Sequence, residues 1–362
     1  MRRLRRSLTL PALAAASALL VAACGSGSNS SSASKSGSST SAVNIASSSK
    51  PCTYKFALIT HGDNGNFWSV VYKGAKNAAA DLGCTLTQTY GSQQQGQAEP
   101  DDNAENAQIR NAINAHVDGM AISDHDPSLM NPTIKSAVAK GIPVVLLNAG
   151  CDDQDIAASA AVTCVGQPEQ LAGQASGARF KQLGATNVLC VIHQSGQNLL
   201  DRCNGIAQGL GVGQQCKSGN APSKGPACTE LTLSTPNAAS NPQQAIGQVT
   251  SYLQSHPQIN AVMTLNNAIA AALVNGHPAG NIKIATFDLS SDVENEIKAG
   301  TLAFAVDQQQ YLQGYLPIQF LYLFKKHEGQ SVGGGTTVAS GPLLVDKTNI
   351  ATVSSAIAAG DD

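Results

Sequence analysis

Polar side chains that can exchange hydrogen bonds with a small molecule stand after most of the predicted strands of this chain. Carboxylates accept hydrogen bonds from hydroxyl groups, a guanidinium donates them, and amides do both, while an aromatic ring covers an apolar C–H face. Such a set suits a sugar or a polyol. The residues that we single out as ligand-binding are Asp63, Phe67, Trp68, Asp124, Asn148, Arg202, Asn266, Asp288 and Gln308.

Catalytic and metal chemistry are less well supported by the same residue types. The segment 124–126, Asp-His-Asp, could hold a metal, but a solvated loop is the simpler interpretation without a second ligand cluster. No nucleophile elbow, Walker loop or His-Glu-x-x-His motif occurs. We therefore expect no enzyme, no catalytic residue, no cofactor and no metal. The histidines are scattered and stand beside no evident nucleophile: His61, His193, His256 and His277.

Several of these positions also have a purely structural interpretation. Asn, Asp and Ser at strand ends often cap the following helix. We expect that role for Asp201, Asn267 and Ser291. One ring of the Phe67–Trp68 pair is expected to pack into the core.

The elements that must position these residues alternate strand with helix. The apolar face of the helix 66–82 has helical spacing, and Gly83 stops it. Strands rich in Val, Ile and Leu between helices predict an α/β fold with parallel sheets covered on both faces, and two such series predict two domains. Ligands of such sheets bind beyond the carboxyl ends of the strands. The predicted strands are 54–60, 85–90, 119–123, 143–148, 187–193, 229–233, 261–265, 282–287 and 302–306, and the main helices are 66–82, 171–183, 200–210, 243–255, 291–299 and 309–326.

The first 51 residues predict export and anchoring. Four arginines followed by an apolar run indicate a signal peptide over 1–23. Small residues around Cys24 resemble the bacterial lipobox, in which the cysteine is lipidated; the alternative is an ordinary cleavage near Ala23. The Ser/Gly-rich segment 24–51 predicts a disordered tether. We expect an extracytoplasmic protein anchored to the cell membrane by lipid on Cys24.

Charge and cysteine content fit that location. Of 22 Lys and Arg residues, four leave with the signal peptide, so 18 remain against 24 Asp and Glu, a net charge of −6. No basic patch is present, so a nucleic-acid partner is not expected. The eight other cysteines of an exported chain predict disulfides, although sequence does not fix their connectivity. Local spacing favours Cys52–Cys84, Cys151–Cys164 and Cys216–Cys228, which leaves Cys190–Cys203 as the remaining candidate pair.

Four motifs in order make the chain similar to a known family. They are Gly-Asn-Phe-Trp at 65–68 with Val-Tyr-Lys-Gly-Ala at 71–75, Lys-Gly-Ile-Pro-Val-Val at 140–145, Thr-Phe-Asp at 286–288 with Ile-Lys-Ala-Gly-Thr-Leu at 297–302, and Val-Asp-Gln at 306–308 with Gln-Gly-Tyr at 313–315. Over 54–346 the chain resembles the ribose-type solute-binding proteins of ABC sugar importers, in the type I periplasmic binding protein superfamily.

The resemblance implies two Rossmann-like lobes with a three-crossover hinge. The N-terminal lobe would comprise 52–155 and 309–335, and the C-terminal lobe 156–308 and 336–358. The lobes would close over a sugar or polyol, and the loaded protein, expected to be a monomer, would be recognised by an ABC permease and its ATPase. Phe67 and Trp68 match the aromatic pair on the sugar ring, and Arg202 matches a hydroxyl-binding arginine. Asn266, Asp288 and Gln308 match polar contacts of the C-terminal lobe and hinge, whereas Asp63 and Asp124 are added from position alone.

One departure from the family pattern bears on the ligand. Where the family often has Asp-Arg after the strand 143–148, this chain has Asn148-Ala149. Ribose is therefore not favoured, and a pentose, a hexose, another polyol or a cyclitol remains open. A sensor that presents a sugar or furanose signal to a receptor is the alternative function. A sugar-responsive DNA-binding regulator would need a helix-turn-helix where this chain has its signal peptide.

Overall fold

The computed structural model describes residues 52–62, 65–90, 100–276 and 282–362. Predictions for the signal peptide, for Cys24 and the tether, and for Asp63 lie outside these residues. Within them the chain forms two α/β lobes, each built on one sheet, as the alternating pattern predicted. None of the described helices is both long and apolar enough to cross a membrane.

The N-terminal lobe is built on a parallel sheet of six strands in the order β12-β5-β4-β3-β1-β2. Alternate residues of each strand point to opposite faces. Phe56 and Leu58 pack with the first and last helices of the lobe, and Ile59 packs with the other three. The strands are β1 Lys55–Thr60, β2 Thr85–Tyr90, β3 Gly119–Ile122, β4 Val144–Leu147, β5 Thr163–Gly166 and β12 Thr337–Ala339; the helices are α1 Asn66–Leu82, α2 Asp102–Asn114, α3 Pro127–Ala139, α4 Asp153–Ser159 and α10 Gln310–Lys326.

The C-terminal lobe is built on a sheet of seven strands in the order β13-β11-β10-β9-β6-β8-β7. Its pairs are parallel except for β13, which runs antiparallel to β11. One face packs against α5 and α6, and the other against α7, α8, α9 and α11. The strands are β6 Asn187–Ile192, β7 Lys217–Ser218, β8 Ala227–Thr232, β9 Ala261–Thr264, β10 Lys283–Phe287, β11 Leu302–Asp307 and β13 Leu343–Val345; the helices are α5 Glu169–Gln182, α6 Gln197–Leu210, α7 Pro242–Ser255, α8 Asn267–Asn275, α9 Ser291–Ala299, the 3₁₀ turn Ile350–Thr352 and α11 Ser354–Ala359.

In each lobe, glycines let two helices cross at close range. Between α1 and α10, a Cβ on Gly74 would lie 2.2 Å from the carbonyl oxygen of Tyr311. Between α5 and α6, a Cβ on Gly173 would lie 2.1 Å from the carbonyl oxygen of Arg202. Side chains at these points would force the helices apart, so each helix pair is fixed as a unit. Other glycines allow the same close approach: Gly314 between α1 and α10, and Gly177, Gly205 and Gly209 between α5 and α6.

The chain passes between the lobes three times, at 167–168, 308–309 and 340–342. Both lobes differ from their predicted boundaries. β5 belongs to the N-terminal sheet, so the first crossover follows it instead of falling at 155, and β12 extends the N-terminal lobe past 335. The second crossover lies where it was expected, after β11. At the third, Gly341 adopts a φ of 84°, and a Cβ there would lie 2.7 Å from the carbonyl oxygen of Asp307.

Four disulfides join strands to neighbouring segments, two in each lobe. The N-terminal lobe contains Cys52–Cys84, which links the starts of β1 and β2, and Cys151–Cys164, which ties the segment after β4 to β5. The C-terminal lobe contains Cys190–Cys203, between β6 and α6, and Cys216–Cys228, next to β8. Local spacing favoured three of these pairs, and Cys190–Cys203 is the fourth candidate pair.

Candidate functional site

A cavity of about 240 Å³ lies between the lobes, at the carboxyl ends of the strands. Cavities for drug-sized ligands are larger, about 300–1000 Å³, so this one suits a small molecule. Both lobes and the second crossover contribute to its wall. Seven of the predicted ligand residues line it: Phe67, Trp68, Asn148, Arg202, Asn266, Asp288 and Gln308.

The N-terminal wall of the cavity is aromatic. The Trp68 ring is buried, lies edge-on to His61 with 4.8 Å between ring centroids, and stacks on Tyr72 at 6.3 Å. The Phe67 ring is only half-buried and meets Trp68 edge-on at 5.1 Å. Trp68 is thus the inward-packing member of the pair while still lining the cavity. Gly62 makes this possible, because a Cβ there would lie 1.7 Å from the indole nitrogen.

Two histidines that the sequence analysis left outside the site also line the cavity. The Nδ1 atom of His61 lies 2.8 Å from the Ser123 hydroxyl, which also accepts the backbone N–H of His61. Burial, with the charge of His125, lowers the pKa of His61 well below its usual value. Burial and the Arg202 charge lower the pKa of His193 to about 3. Both rings are therefore neutral at physiological pH.

Asn148 connects the N-terminal wall to the hinge. It follows β4 directly and has a left-handed backbone, with a φ of 63°. Its side-chain amide donates to the Oε1 atom of Gln313 at 3.1 Å, and Gln313 in turn donates to the carbonyl oxygen of Gln308. The side-chain nitrogen of Asn148 is thereby engaged with α10, and the residue lines the cavity.

Arg202 is held by a buried network in the C-terminal wall. Its guanidinium donates to both carboxylate oxygens of Glu169, at 2.7 and 2.8 Å, and to Gln308 Oε1 at 2.9 Å. It also lies 4.5 Å from the centroid of the Phe287 ring. Burial alone would lower the pKa of Arg202, but the Glu169 carboxylate outweighs it and raises the pKa. The donor is therefore permanently charged and fixed in place.

Asp288 completes this wall. It follows β10 with a φ of 72°, and its carboxylate accepts a hydrogen bond from the side-chain amide of Gln308. Burial raises the pKa of Asp288 to about 6, although the Arg202 charge and the Gln308 hydrogen bond oppose the rise. The carboxylate is thus ionised at neutral pH and can accept ligand hydroxyls beside the Arg202 donor.

Helix caps in the C-terminal lobe differ from the expected ones. Asn266, predicted only as a ligand residue, caps α8 by accepting from the backbone N–H groups of Ala268 and Ile269. Asn267 is not the cap but donates to the carbonyl oxygen of Leu289. Ser290 caps α9 in place of Ser291. Asp201 lies inside α6, because that helix begins at Gln197, earlier than predicted.

Two predicted residues are not placed in this cavity. Asp63 lies outside the described residues. Asp124, at the end of β3, is buried but lines a neighbouring cavity. Glu169 was missed altogether, because the short strand β5 went unrecognised and the crossover that precedes α5 was placed too early. Among the described residues, no group of three or more His, Cys, Asp or Glu side chains is arranged to hold a metal ion.

Comparison with known proteins identifies the family. The model of the periplasmic binding protein domain matches residues 56–329. The crystal structure of a carbohydrate transporter from Acidothermus cellulolyticus in complex with myo-inositol is 34% identical, with a TM-score of 0.73, and the match covers 86% of this chain and all of that one.

More distant proteins agree. A xylose/arabinose-binding protein of Sulfolobus acidocaldarius is 26% identical over 75% of this chain and 66% of its own length, so the match spans just under two thirds of that relative. An ABC transporter solute-binding protein from Burkholderia graminis, in complex with D-arabinose, shares the fold at 21% identity, with a TM-score of 0.68; that match covers 83% of this chain and 98% of the other. Members of the family are binding proteins, and the family together with the disulfides indicates a location outside the cytoplasm. The chain therefore belongs to the family of periplasmic binding protein domains.

Proposed function

We propose that this protein is the substrate-binding component of an ABC transporter that captures a sugar or polyol, a pentose, a hexose or a cyclitol, and delivers it to a membrane permease with its ATPase. One observation supports this most directly. An aromatic wall from one lobe faces a buried Arg202–Asp288–Gln308 network from the other and from the hinge. Relatives that bind myo-inositol, xylose or arabinose agree with that assignment.

The chemistry of capture follows from the two walls. Trp68 and Phe67 cover the C–H face of the ring, which no hydrogen bond can recognise. Arg202 donates to hydroxyl oxygens, Asp288 accepts from hydroxyl hydrogens, and Asn148 accepts through its side-chain oxygen. A ligand that leaves these buried groups unpaired binds more weakly, because their lost hydration is not compensated by hydrogen bonds. The site therefore selects for a matching hydroxyl pattern.

Closure supplies the signal that a permease recognises. The ligand favours the closed arrangement only as far as it contacts both walls better there than in an open arrangement. The three crossovers form the hinge about which such a movement takes place. The protein acts as a monomer, with no nucleic-acid partner and no catalytic turnover.

Lipidation of Cys24 keeps the protein at its transporter. The apolar run before Cys24 and the Ser/Gly segment after it are those of a tethered lipoprotein. Metabolic labelling with a fatty acid should mark the wild-type protein and leave Cys24→Ala unlabelled and released from the membrane. Retention of the label by that variant would contradict the anchor.

Isothermal titration calorimetry against D-ribose, D-xylose, L-arabinose, D-glucose, D-galactose and myo-inositol tests the binding function. At least one should bind with a dissociation constant in the micromolar range or below and should raise the melting temperature. The recovered ligand should be chemically unchanged after prolonged incubation. If none of them binds at millimolar concentration, the sugar and polyol assignment is wrong.

A further inference from the structure

A second cavity, of about 540 Å³, opens beside the cleft and is strongly acidic. Both lobes line it. We call it the acidic side cavity and define it by six carboxylate residues. They are Asp124, Asp152, Asp153 and Asp155 of the N-terminal lobe, and Glu169 and Asp201 of the C-terminal lobe.

No cationic side chain of the described part of the chain balances these carboxylates within the cavity, since no Lys or Arg lines it. Glu169 is the one already paired, through Arg202 on the cleft side. Asp124 has His125 beside it, and Asp201 accepts a hydrogen bond from the side-chain amide of Gln197. Asp152 and Asp153 are exposed and hydrated, whereas Asp124 is buried, so a cation would stabilise the cluster most at Asp124.

Asp124 points to a bound group more directly than the cluster does. Its side chain has no exposed surface, and neither carboxylate oxygen has a hydrogen-bond partner among the described residues. Buried carboxylates are almost always paired, because an unpaired one loses its hydration without compensation. Gly150, with a φ of 71°, provides the space for it, since a Cβ there would lie 2.7 Å from the Asp124 Cβ. The fold thus accommodates a carboxylate that no part of the described protein uses.

Burial and neighbouring carboxylates raise the pKa values of two residues of the acidic side cavity. Burial, and then the charges of Asp155 and Asp126, raise the pKa of Asp124 to about 7. Burial also raises the pKa of Asp201, and there Asp152 of the opposite lobe adds to the rise. A cation between the lobes would relieve this repulsion at the point where they approach each other.

The acidic side cavity lies next to the ligand cavity. Asn148 and Asn198 line both of them. A substituent of a ligand seated between Trp68 and Arg202 would have to pass these amides to approach Asp124. Glu169 marks the boundary, because it lines the side cavity while holding the Arg202 guanidinium of the cleft.

We infer that the acidic side cavity binds a cationic ammonium substituent of the ligand, so that the physiological ligand is an amino-substituted sugar or cyclitol. This inference rests on the proposed function. A divalent metal ion needs several oxygen ligands around one point, and no such group is arranged among the described residues. An ammonium group needs fewer acceptors, and a buried carboxylate with neighbouring amide oxygens supplies them.

Matched ligand pairs test this inference by calorimetry at pH 7 on protein treated with EDTA. The pairs are D-glucose with D-glucosamine, D-galactose with D-galactosamine, and myo-inositol with an amino-deoxy-inositol. In at least one pair the amine should bind 10-fold or more tightly than its hydroxyl parent. Asp124→Asn should remove that advantage while leaving the affinity for the hydroxyl parent within about threefold.

The exposed Asp292, in the first turn of α9, provides a matched control. Asp292→Asn removes the same charge at a position that lines neither cavity and should preserve the preference for the amine. Asp124→Asn should also raise the melting temperature of the unliganded protein at pH 7, because it removes a buried unpaired charge; a fall would mean that Asp124 stabilises the fold.

The remaining outcomes each decide the matter. If parents and amines bind equally, the ammonium inference is wrong and the proposed function stands. If neither member of any pair binds, both are wrong. If calcium or magnesium chloride stabilises the wild type but not Asp124→Asn, the cavity takes a metal ion and the ammonium inference is overturned.

Discussion

The two walls of the cleft achieve binding by opposite means. The N-terminal wall is made of rings that carry no charge, since the environment keeps His61 neutral and Trp68 and Phe67 have none. The C-terminal wall is a network of charged groups fixed by hydrogen bonds, with Arg202 at its centre. The first wall depends on shape and the second on preorganised polar groups. Substitutions in the two walls should therefore differ in their effects on affinity, stability and pH dependence.

Both walls nevertheless rest on the same kind of support. The aromatic pair begins α1, which crosses α10 through Gly74 and Gly314. Arg202 lies on α6, which crosses α5 through glycines, and Glu169 begins α5. Each wall is therefore attached to a tightly crossed helix pair that starts next to a hinge segment. Binding differs between the lobes, while the way each lobe presents its side chains is shared.

Removing the centre of the polar wall should have the largest effect. Arg202→Ala takes away three hydrogen bonds and leaves the largely buried Glu169 carboxylate without its charged partner, with only the Gln167 amide still donating to it. We expect affinity to fall by at least about 100-fold and stability by about 3–5 kcal/mol. Calorimetry and thermal melting measure the two losses.

A second substitution separates the loss of affinity from the loss of stability. Adding Glu169→Gln to Arg202→Ala should restore much of the stability but none of the affinity. Arg179→Ala is the control, because it breaks a partly exposed ion pair with Asp346 in the same lobe. Unchanged affinity in Arg202→Ala would exclude that residue from the site.

Altering the shape of the aromatic wall should have the second-largest effect on affinity. Gly62→Ala places a methyl group within the Trp68 ring, so the indole must move. We expect a loss of about 1–3 kcal/mol in stability from overpacking, and a loss of affinity of about 10- to 50-fold. Gly247→Ala, where no atom lies within 4 Å of the new Cβ, should leave affinity unchanged. Equal affinity in Gly62→Ala and the wild type would show that the position of Trp68 is unimportant.

The pH dependence of binding should distinguish the walls directly. Asp288 has a raised pKa of about 6, so it gains a proton as the pH falls through that value. A protonated Asp288 no longer accepts strongly from hydroxyls, and affinity should be about tenfold weaker at pH 5 than at pH 7. The neutral histidines contribute nothing over this range. Titration at several pH values should show the effect in the wild type and its absence in Asp288→Asn.

The smallest effect is expected from Phe67, the half-buried member of the aromatic pair. Phe67→Leu keeps an apolar side chain but removes the ring, and it should weaken binding by about 3- to 10-fold. Phe324→Leu alters a half-buried phenylalanine on α10 and should change nothing. A loss as large as that of Arg202→Ala would mean that ring contact, and not the polar network, dominates the affinity.

Sequence patterns predicted the long helices and most strands but missed two short strands. The limits of α1 and α9 agree with the structure, because strong apolar periodicity and a following glycine define them. The four-residue strand β5 and the three-residue strand β12 were not predicted, and this omission misplaced the lobe boundaries. The same omission hid Glu169. Asp124 was assigned to the ligand from its place at a strand end, but position along the chain does not say which of two adjacent cavities a side chain enters.

The location of Trp68 has a practical consequence. It is the only tryptophan of the chain, and its ring lies in the wall of the ligand cavity against His61 and Tyr72. Excitation at the red edge of protein absorption therefore selects a single chromophore at the point of contact. Its emission spectrum and its quenching by soluble reagents would follow occupancy in real time without any label, and a stopped-flow trace would separate ligand arrival from the slower movement of the lobes.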